Sequence, residues 1–160
     1  MSDQIIVMSE GRVEQVGPPE EVYNTPASEF VARFLGAANI LEGRVTDRQA
    51  DALALDVPGF ARVVIPRARA PKLGDAPAAK LVIRAEKLKL MPAGSTDEAA
   101  IMIPAIVEGV DYQGQAARYF LRVNDHALQA INMIDTVPFA QGAHVVLRLL
   151  PRDCAALPTT

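Results

Sequence analysis

The 160-residue sequence has no tryptophan, one cysteine, and aromatic side chains at only 5% of its positions. The lone cysteine, Cys154, cannot form a disulfide within the chain, which fits a reducing compartment. So few rings leave few surfaces on which the bases of a single strand can stack. Lysine and arginine are scattered and the net charge is -3, so the basic patch that binds a nucleic-acid backbone is missing too. Nucleic acid is therefore not an expected partner.

Long apolar runs are also missing. No run approaches the roughly 20 residues of a membrane-spanning helix, and no signal peptide pattern opens the chain. We expect a cytosolic location. Half of the residues are hydrophobic, however, so a chain of this length can bury a substantial core.

Recognisable catalytic motifs are absent as well. There is no glycine-rich phosphate loop and no serine flanked by glycines in a nucleophile elbow. His126 and His144 stand outside any spacing typical of metal ligands, and we expect them in a turn and a strand. The sequence predicts no catalytic residue, no metal ligand and no bound cofactor.

The pattern at the N-terminus predicts a hairpin followed by two short helices. Residues 4–8 form an apolar strand expected to be covered on both faces, Gly11 allows the turn, and residues 12–16 return. A proline pair at 18–19 starts the first helix. The second helix is predicted from Ser28 to Leu35, ending at Gly36.

From Asn39 onward, short aliphatic and β-branched runs alternate with turn residues, a pattern typical of an all-β barrel or sandwich. Residues 92–100 form a polar connection between two halves. An offset of 66 positions aligns residues 40–92 with 106–158, which favours a duplicated β unit. The identical pairs include Ile40 with Ile106, Glu42 with Glu108, Gly43 with Gly109, Leu55 with Leu121, Val57 with Val123, Ile65 with Ile131, Leu81 with Leu147 and Pro92 with Pro158.

Two polar segments at strand ends or tight turns are candidate ligand or interface loops: Arg84 and Glu86 in the first, and Asp111, Tyr112 and Gly114 in the second. The alternative interpretation is structural. In it, Gly114 makes a hairpin turn, while Arg84 and Glu86 hold a strand end by hydrogen bonds.

Residues 2–45 resemble the segment after the switch histidine in ATP-binding subunits of ABC importers. That family has an aspartate before an aliphatic strand, a Gly-Arg turn, a Gly-x-Pro-x-Glu helix start and a Phe-Val-x-x-Phe-Ile/Leu-Gly segment. The matching residues are Asp3, Ile5 to Met8, Gly11, Arg12, Gly17, Pro19, Glu21, Tyr23, Pro26, Phe30, Val31, Phe34, Leu35, Gly36 and Asn39.

The rest of the chain resembles the transport-associated OB (TOBE) domain that follows these ATPases. Residues 81–90 are similar to its Arg-Pro-Glu element, residues 107–123 to its Tyr-x-Gly hairpin, and residues 142–157 to its closing strand. The sequence departs from the family at Ala85, where proline is usual, at Lys87, and in lacking a tryptophan near Leu149 and Leu150.

The resemblance implies a mainly β, OB-type module of two repeated β units, preceded by a hairpin and two short helices. Residues 1–38 would be the tail of the nucleotide-binding domain and residues 39–160 the TOBE domain. The implied role is non-catalytic: regulation and dimerisation in the ATP-binding subunit of a spermidine/putrescine-type importer at the inner face of the membrane. Its partners would be a second copy, the permease subunits and a small-molecule effector.

A different function class remains open beside this one, a module that binds a small oxyanion or polyamine. An oxyanion site requires converging amides with serine, threonine or basic side chains, and the strand ends offer few serines or threonines. A polyamine site requires carboxylates and aromatic faces, and Glu108, Asp111 and Tyr112 are the nearest candidates. An OB-type nucleic-acid binder ranks third, because the chain is acidic and poor in aromatics.

Overall fold

The computed structural model describes residues 4–34, 36–70, 73–134 and 138–158, and its architecture is mainly β, as predicted. Asp3 and Leu35, which were part of the resemblance, lie outside the described residues. The elements are β1 (Ile5–Ser9), β2 (Arg12–Gly17), α1 (Pro19–Asn24), α2 (Glu29–Phe34), β3 (Ala38–Arg48), β4 (Ala52–Val57), β5 (Ala61–Pro66), β6 (Ala78–Arg84), β7 (Lys89–Pro92), β8 (Ile101–Gln113), β9 (Ala116–Val123), β10 (His126–Met133), β11 (His144–Leu149) and β12 (Cys154–Pro158). Three 3-10 turns cover Arg67–Arg69, Ala85–Lys87 and Pro151–Asp153.

The N-terminal segment, residues 4–34, consists of the predicted hairpin and helices. Glu10 and Gly11 both have positive φ, 51° and 79°, which is the geometry that joins two twisted strands through a two-residue turn. Proline occupies the first turn of α1, where its missing N–H costs no helical bond. The Ser28 hydroxyl accepts a hydrogen bond from the Val31 N–H at 3.3 Å and caps α2, as predicted.

The strands that follow form two five-stranded antiparallel sheets. Sheet 1 has the order β12-β6-β3-β4-β5, and sheet 2 has the order β10-β9-β8-β11-β7. The first β unit is β3–β7 and the second is β8–β12. Each unit contributes four strands to one sheet and donates its last strand to the other, so the two units are tied together by an exchange of strands.

The predicted duplication is confirmed, but the single offset of 66 is wrong for the first strand of each unit. A β-bulge follows Val45 in β3 and Val107 in β8, so these two strands correspond at an offset of 62 residues. The β8–β9 hairpin is consequently four residues longer than its counterpart, and the offset is 66 again for β4, β6 and β7. The pairs drawn from residues 40–43 are therefore misaligned by four residues. The error is hidden in the sequence because residues four apart in a strand point to the same face, so the apolar pattern still matches. The predicted pair of Ile65 with Ile131 is misaligned by one residue. The reason is that the turn between β4 and β5 is one residue longer than the turn between β9 and β10.

Alternating residues of both sheets point inward and form one shared core. The largest fully buried side chains include Leu53, Leu55, Leu81, Leu121 and Leu147. Burial of each such leucine contributes about 1.5–3 kcal/mol. Among the described residues, none of the helices is long and apolar enough to cross a bilayer.

Cys154 begins β12 in this core, where burial, helped by nearby Asp153, raises the pKa of its thiol to about 12. The folded protein therefore keeps the thiol proton up to a higher pH than the unfolded chain, whose thiol pKa is ordinary. This preference contributes stability that is complete below the ordinary pKa and is lost as pH rises towards 12.

We expect the free energy of unfolding of the wild type to fall from pH 9 to 11 relative to that of Cys154→Ala, by up to about 1.4 kcal/mol per pH unit. Urea unfolding of both proteins at each pH measures this difference. Parallel curves would contradict it. At pH 8 the native thiol should react with a disulfide reagent only after the chain is unfolded in urea.

Candidate functional site

Arg84, one of the predicted site residues, holds the N-terminal segment against the first β unit. It ends β6 and is 4% exposed. Its guanidinium donates hydrogen bonds to the backbone oxygens of Ala32 and Tyr23, the latter at 3.0 Å. Because Tyr23 lies in α1 and Ala32 in α2, one side chain from the sheet binds both helices.

The same guanidinium lies over the ring of Tyr23, with its central carbon 4.4 Å from the ring centroid. This is a cation–π contact in a place with little water. Burial lowers the pKa of Arg84, and its Nε has no hydrogen-bond partner among the described residues. Arg84 therefore faces the helices and not an open pocket.

Polar contacts to either side extend this junction. Lys80 pairs with Glu29 of α2 at 2.8 Å, and that hydrogen bond, followed by one from Arg33, lowers the pKa of the Glu29 carboxyl. Arg69 donates to the backbone oxygens of Asn24 and Arg152, both at 2.6 Å. The junction thus connects α1 and α2 to β6 and to the turn before β12.

An apolar seam lies beneath these contacts. Ala32 of α2 packs with Val82, Ala155 and Leu157 on the outer surface of sheet 1. An alanine at this point allows α2 to approach the sheet closely. The junction combines such a seam with a buried, hydrogen-bonded cation, so the segment has a specific position on the β unit.

The opposite side of the N-terminal segment is bare, which corrects the prediction that β1 is covered on both faces. Val7 packs on Val22 and Val31, but Ile6 and Met8 on the other face are 60% and 54% exposed. Their strand partners Val16 and Val13 are exposed beside them, and α2 adds the stacked rings of Phe30 and Phe34, 5.8 Å apart. Exposed apolar side chains thus occur on one face of the hairpin and on α2, and such exposure marks an interaction surface.

Glu86 is exposed in the turn after β6 and lines a cleft of about 540 Å³ where the edges β7 and β10 approach each other. The cleft walls are mainly apolar and include Met91, Ile131 and Phe139. Asn132 closes its floor, accepting from the Leu90 N–H and donating to the Leu88 oxygen, both at 2.8 Å. The volume suits a small organic molecule.

Asp111, Tyr112 and Gly114 lie together at the tip of the β8–β9 hairpin. Gly114 has a φ of 67°, which the turn requires and which favours glycine. Asp111 and Tyr112 are exposed. They lie at the end of the hairpin that is four residues longer than its counterpart in the first β unit, and the structure does not bring them to Arg84 or into the cleft beside Glu86.

His144 begins a strand as predicted, whereas His126, expected in a turn, is the first residue of a strand. His126 starts β10, with Nε2 2.7 Å from the Pro58 oxygen and its ring edge-on to Phe60, and His144 starts β11. In the described ranges, no three histidine, cysteine or acidic side chains gather closely enough to hold a metal ion.

Sequence reasoning missed the role of Tyr23, Ala32 and Lys80 in the junction, because their partners are about 50 or more residues away in the chain.

Residues 81–157, from β6 to β12, match the TOBE domain family. The chain carries a TOBE domain. Similar proteins include the spermidine/putrescine import ATP-binding protein PotA of Rubrobacter xylanophilus, 39% identical over 78% of this chain, and PotA 1 of Pseudomonas aeruginosa, 36% identical over 82%. The putrescine transport ATP-binding protein PotG of Escherichia coli is 29% identical over 77%. The matches cover 32%, 34% and 32% of those proteins, so the chain spans about a third of their length.

The TOBE domain has the predicted OB-type architecture. The cytoplasmic molybdate-binding protein ModG superimposes with a TM-score of 0.61 over 74% of this chain and 94% of that chain. The sequence identity is 17%, so this likeness concerns the fold.

Proposed function

We propose that this chain is the C-terminal, regulatory and dimerisation part of the ATP-binding subunit of a polyamine importer. Residues 1–38 are the tail of the nucleotide-binding domain and residues 39–160 are the TOBE domain. The subunit works with permease subunits at the inner face of the cell membrane, and a second copy completes the assembly.

The observation that carries the proposal is the two-sided N-terminal segment. One side is bound to the TOBE domain through Arg84, Lys80 and the Ala32 seam. The other side exposes Ile6, Met8 and Phe34. A segment of this kind joins two folded bodies, and the PotA relatives provide the second body, an ATP-binding protein about three times as long as the match.

The TOBE domain itself is non-catalytic in this proposal. The chain has no phosphate-binding loop, signature motif or switch histidine, so ATP turnover belongs to the remainder of the subunit. The influence of this region on turnover passes through the junction, because the segment is fixed to the β units there.

Deletion of the gene that encodes this chain should abolish uptake of radiolabelled spermidine or putrescine by the source cells, with uptake of an unrelated amino acid as the control. Normal uptake of both polyamines would overturn the transport assignment. The purified chain should release no phosphate from ATP, and turnover by the chain alone would contradict the non-catalytic role. The DNA upstream should encode an ATPase in the same frame.

The cleft beside Glu86 favours a second candidate function, a module that binds a small effector. Its lining combines the carboxylate of Glu86, the ammonium of Lys89 and the ring of Phe139, so both an amine and an oxyanion are candidate ligands. Calorimetric titrations with spermidine, putrescine and molybdate test this candidate. Binding weakened by Glu86→Gln supports it, and three flat titrations remove it.

A further inference from the structure

Two charges of opposite sign lie at the mouth of the cleft between β7 and β10. Glu86 belongs to the turn after β6 and Lys89 starts β7, and both side chains are exposed and line the cleft. Neither forms an ion pair with another residue that the structure describes. Each charge attracts one end of a ligand and repels a ligand that has only its own sign. A molecule with one charge of each sign therefore satisfies both side chains.

Other charged residues are close by but do not line the cleft. Arg148 of β11 pairs with Asp97 at 2.7 Å. Arg118 of β9 is opposite Asp111 of β8 in the strand register. Lys87 is exposed in the same turn as Glu86, yet the lining of the cleft includes none of these five side chains except Glu86. The charge that a ligand meets inside the cleft is thus set by Glu86 and by Lys89.

A buried hydroxyl lines the cleft behind these two charges. Tyr119 is only 3% exposed. Its oxygen accepts a hydrogen bond from the Phe139 N–H at 3.2 Å, but its own proton is donated to no other residue that the structure describes. Buried tyrosine hydroxyls usually have a partner for this proton, because a buried donor without an acceptor is costly. Tyr119 therefore offers a hydrogen bond to an oxygen of a ligand.

The remaining walls of the cleft are apolar and include Met91 of β7, Met133 of β10 and Phe139. The Phe139 ring stands edge-on to the Tyr119 ring, with the centroids 6.2 Å apart. Methionine side chains are flexible and adapt to apolar groups of different shapes. A tetrahedral oxyanion has no apolar part to cover these walls, whereas an organic molecule with an apolar side chain does.

The first β unit shows that folding requires neither the hydroxyl nor the open cleft. At the offset of 66, Leu53 occupies the core position that corresponds to Tyr119. The turn before β12 corresponds to the turn that contains Glu86, and there Arg69 donates to the Arg152 oxygen at 2.6 Å. The first unit thus bridges this gap with a side chain of its own. The second unit has a cleft there instead, with a buried hydroxyl in its wall.

We infer that the cleft beside Glu86 binds a free amino acid with an apolar side chain. The ammonium group of the ligand pairs with Glu86, and its carboxylate accepts hydrogen bonds from Lys89 and the Tyr119 hydroxyl. Its side chain lies against Met91 and Phe139. This ligand goes beyond the effector candidate above, whose ligands are an amine or an oxyanion, so flat titrations with polyamines and molybdate leave it standing.

Calorimetric titrations of the wild-type protein with L-phenylalanine, L-methionine and L-leucine test the ligand class. The strongest binder is then compared with its two analogues that lack one charge, which for L-phenylalanine are phenethylamine and hydrocinnamate. We expect each analogue to bind at least about tenfold more weakly, because it leaves one charge at the mouth of the cleft without a partner. An analogue that binds as tightly as the amino acid overturns the inference. Flat titrations with all three amino acids up to about 10 mM also overturn it.

Substitutions assign each charge to one end of the ligand. Glu86→Gln should weaken binding of the amino acid at least about tenfold and remove its advantage over the analogue that lacks the ammonium group. Lys89→Met should remove the advantage over the analogue that lacks the carboxylate. Tyr119→Phe keeps the ring and should also weaken the amino acid. Lys87→Met is the matched control and should bind as the wild type does, because Lys87 does not line the cleft.

Far-ultraviolet circular dichroism and the melting temperature establish that the variants are folded. Wild-type affinity in both Glu86→Gln and Lys89→Met would show that the amino acid binds elsewhere and would overturn the assignment of the cleft. The analogue titrations on the wild type do not depend on any variant. None of these results alters the transport assignment, which the uptake experiment tests separately.

Discussion

Replacing Arg84 by methionine will lower the free energy of unfolding by about 3 kcal/mol and release the N-terminal segment from the TOBE domain. The variant loses two hydrogen bonds to the oxygens of Tyr23 and Ala32 and the contact with the Tyr23 ring. Methionine fills a similar space but has no donor, so both oxygens remain in a buried place without their partner. The gain from no longer burying a cation offsets part of the loss.

Urea unfolding measures the stability change, and limited proteolysis measures release of the segment. Cleavage between α2 and β3 should become at least about tenfold faster in Arg84→Met, since that connection opens when α2 detaches. Lys87→Met is the control, because Lys87 is an exposed basic residue three positions further on. Unchanged cleavage in Arg84→Met would show that the apolar seam holds the segment without the guanidinium. In the complete ATP-binding subunit, the same variant should weaken any influence of the TOBE domain on ATP turnover.

Replacing Asn39 by alanine will destabilise the fold by about 3 kcal/mol, because this amide ties the two sheets together. Asn39 is buried in β3. Its side chain donates to the Gln129 oxygen at 2.8 Å and accepts from the Gln129 N–H at 2.8 Å, pairing the free edge of β10 as a neighbouring strand does. It also donates to the Ile83 oxygen at 3.2 Å. Alanine leaves the edge of β10 unpaired and a small cavity beneath it.

Gln129→Ala is a precise control for this variant. It removes the Gln129 side chain but keeps the backbone N–H and oxygen that Asn39 binds. The control should lose less than about 1 kcal/mol by urea unfolding, as is usual for a partly exposed side chain. Hydrogen exchange provides the second measurement: the Gln129 amide should exchange faster in Asn39→Ala while the core of β9 stays protected. Equal stability losses in the two variants would contradict the role of Asn39.

The sequence predicted the local elements well, and the reason is visible in particular residues. The turn at Gly11, the proline start of α1 and the cap at Ser28 each depend on a few neighbouring positions. The duplication was also detectable, because the strand and turn punctuation repeats. The alignment of β3 with β8 failed for a physical reason, since a shift of four residues preserves which side chains face the core.

The candidate site residues show the limit of such prediction. Arg84 and Glu86 are two positions apart, yet one is buried against α1 and α2 while the other is exposed at the mouth of a cleft. Nothing local distinguishes them. Asp111 and Tyr112 were recognised as turn residues, but their place in a hairpin extension emerged only from the paired registers of the two units.

The sequence by itself determined the mainly β architecture, the turns at Gly11 and Gly114 and the family resemblance, because these depend on residue types at short, regular spacings. Only the tertiary structure decided that β7 and β12 are exchanged between the sheets, that Arg84 binds the helices, and that one face of the hairpin is bare. Each of these depends on contacts between residues far apart in the chain. Such contacts are selected by packing and burial of the whole molecule, which no short stretch of sequence contains.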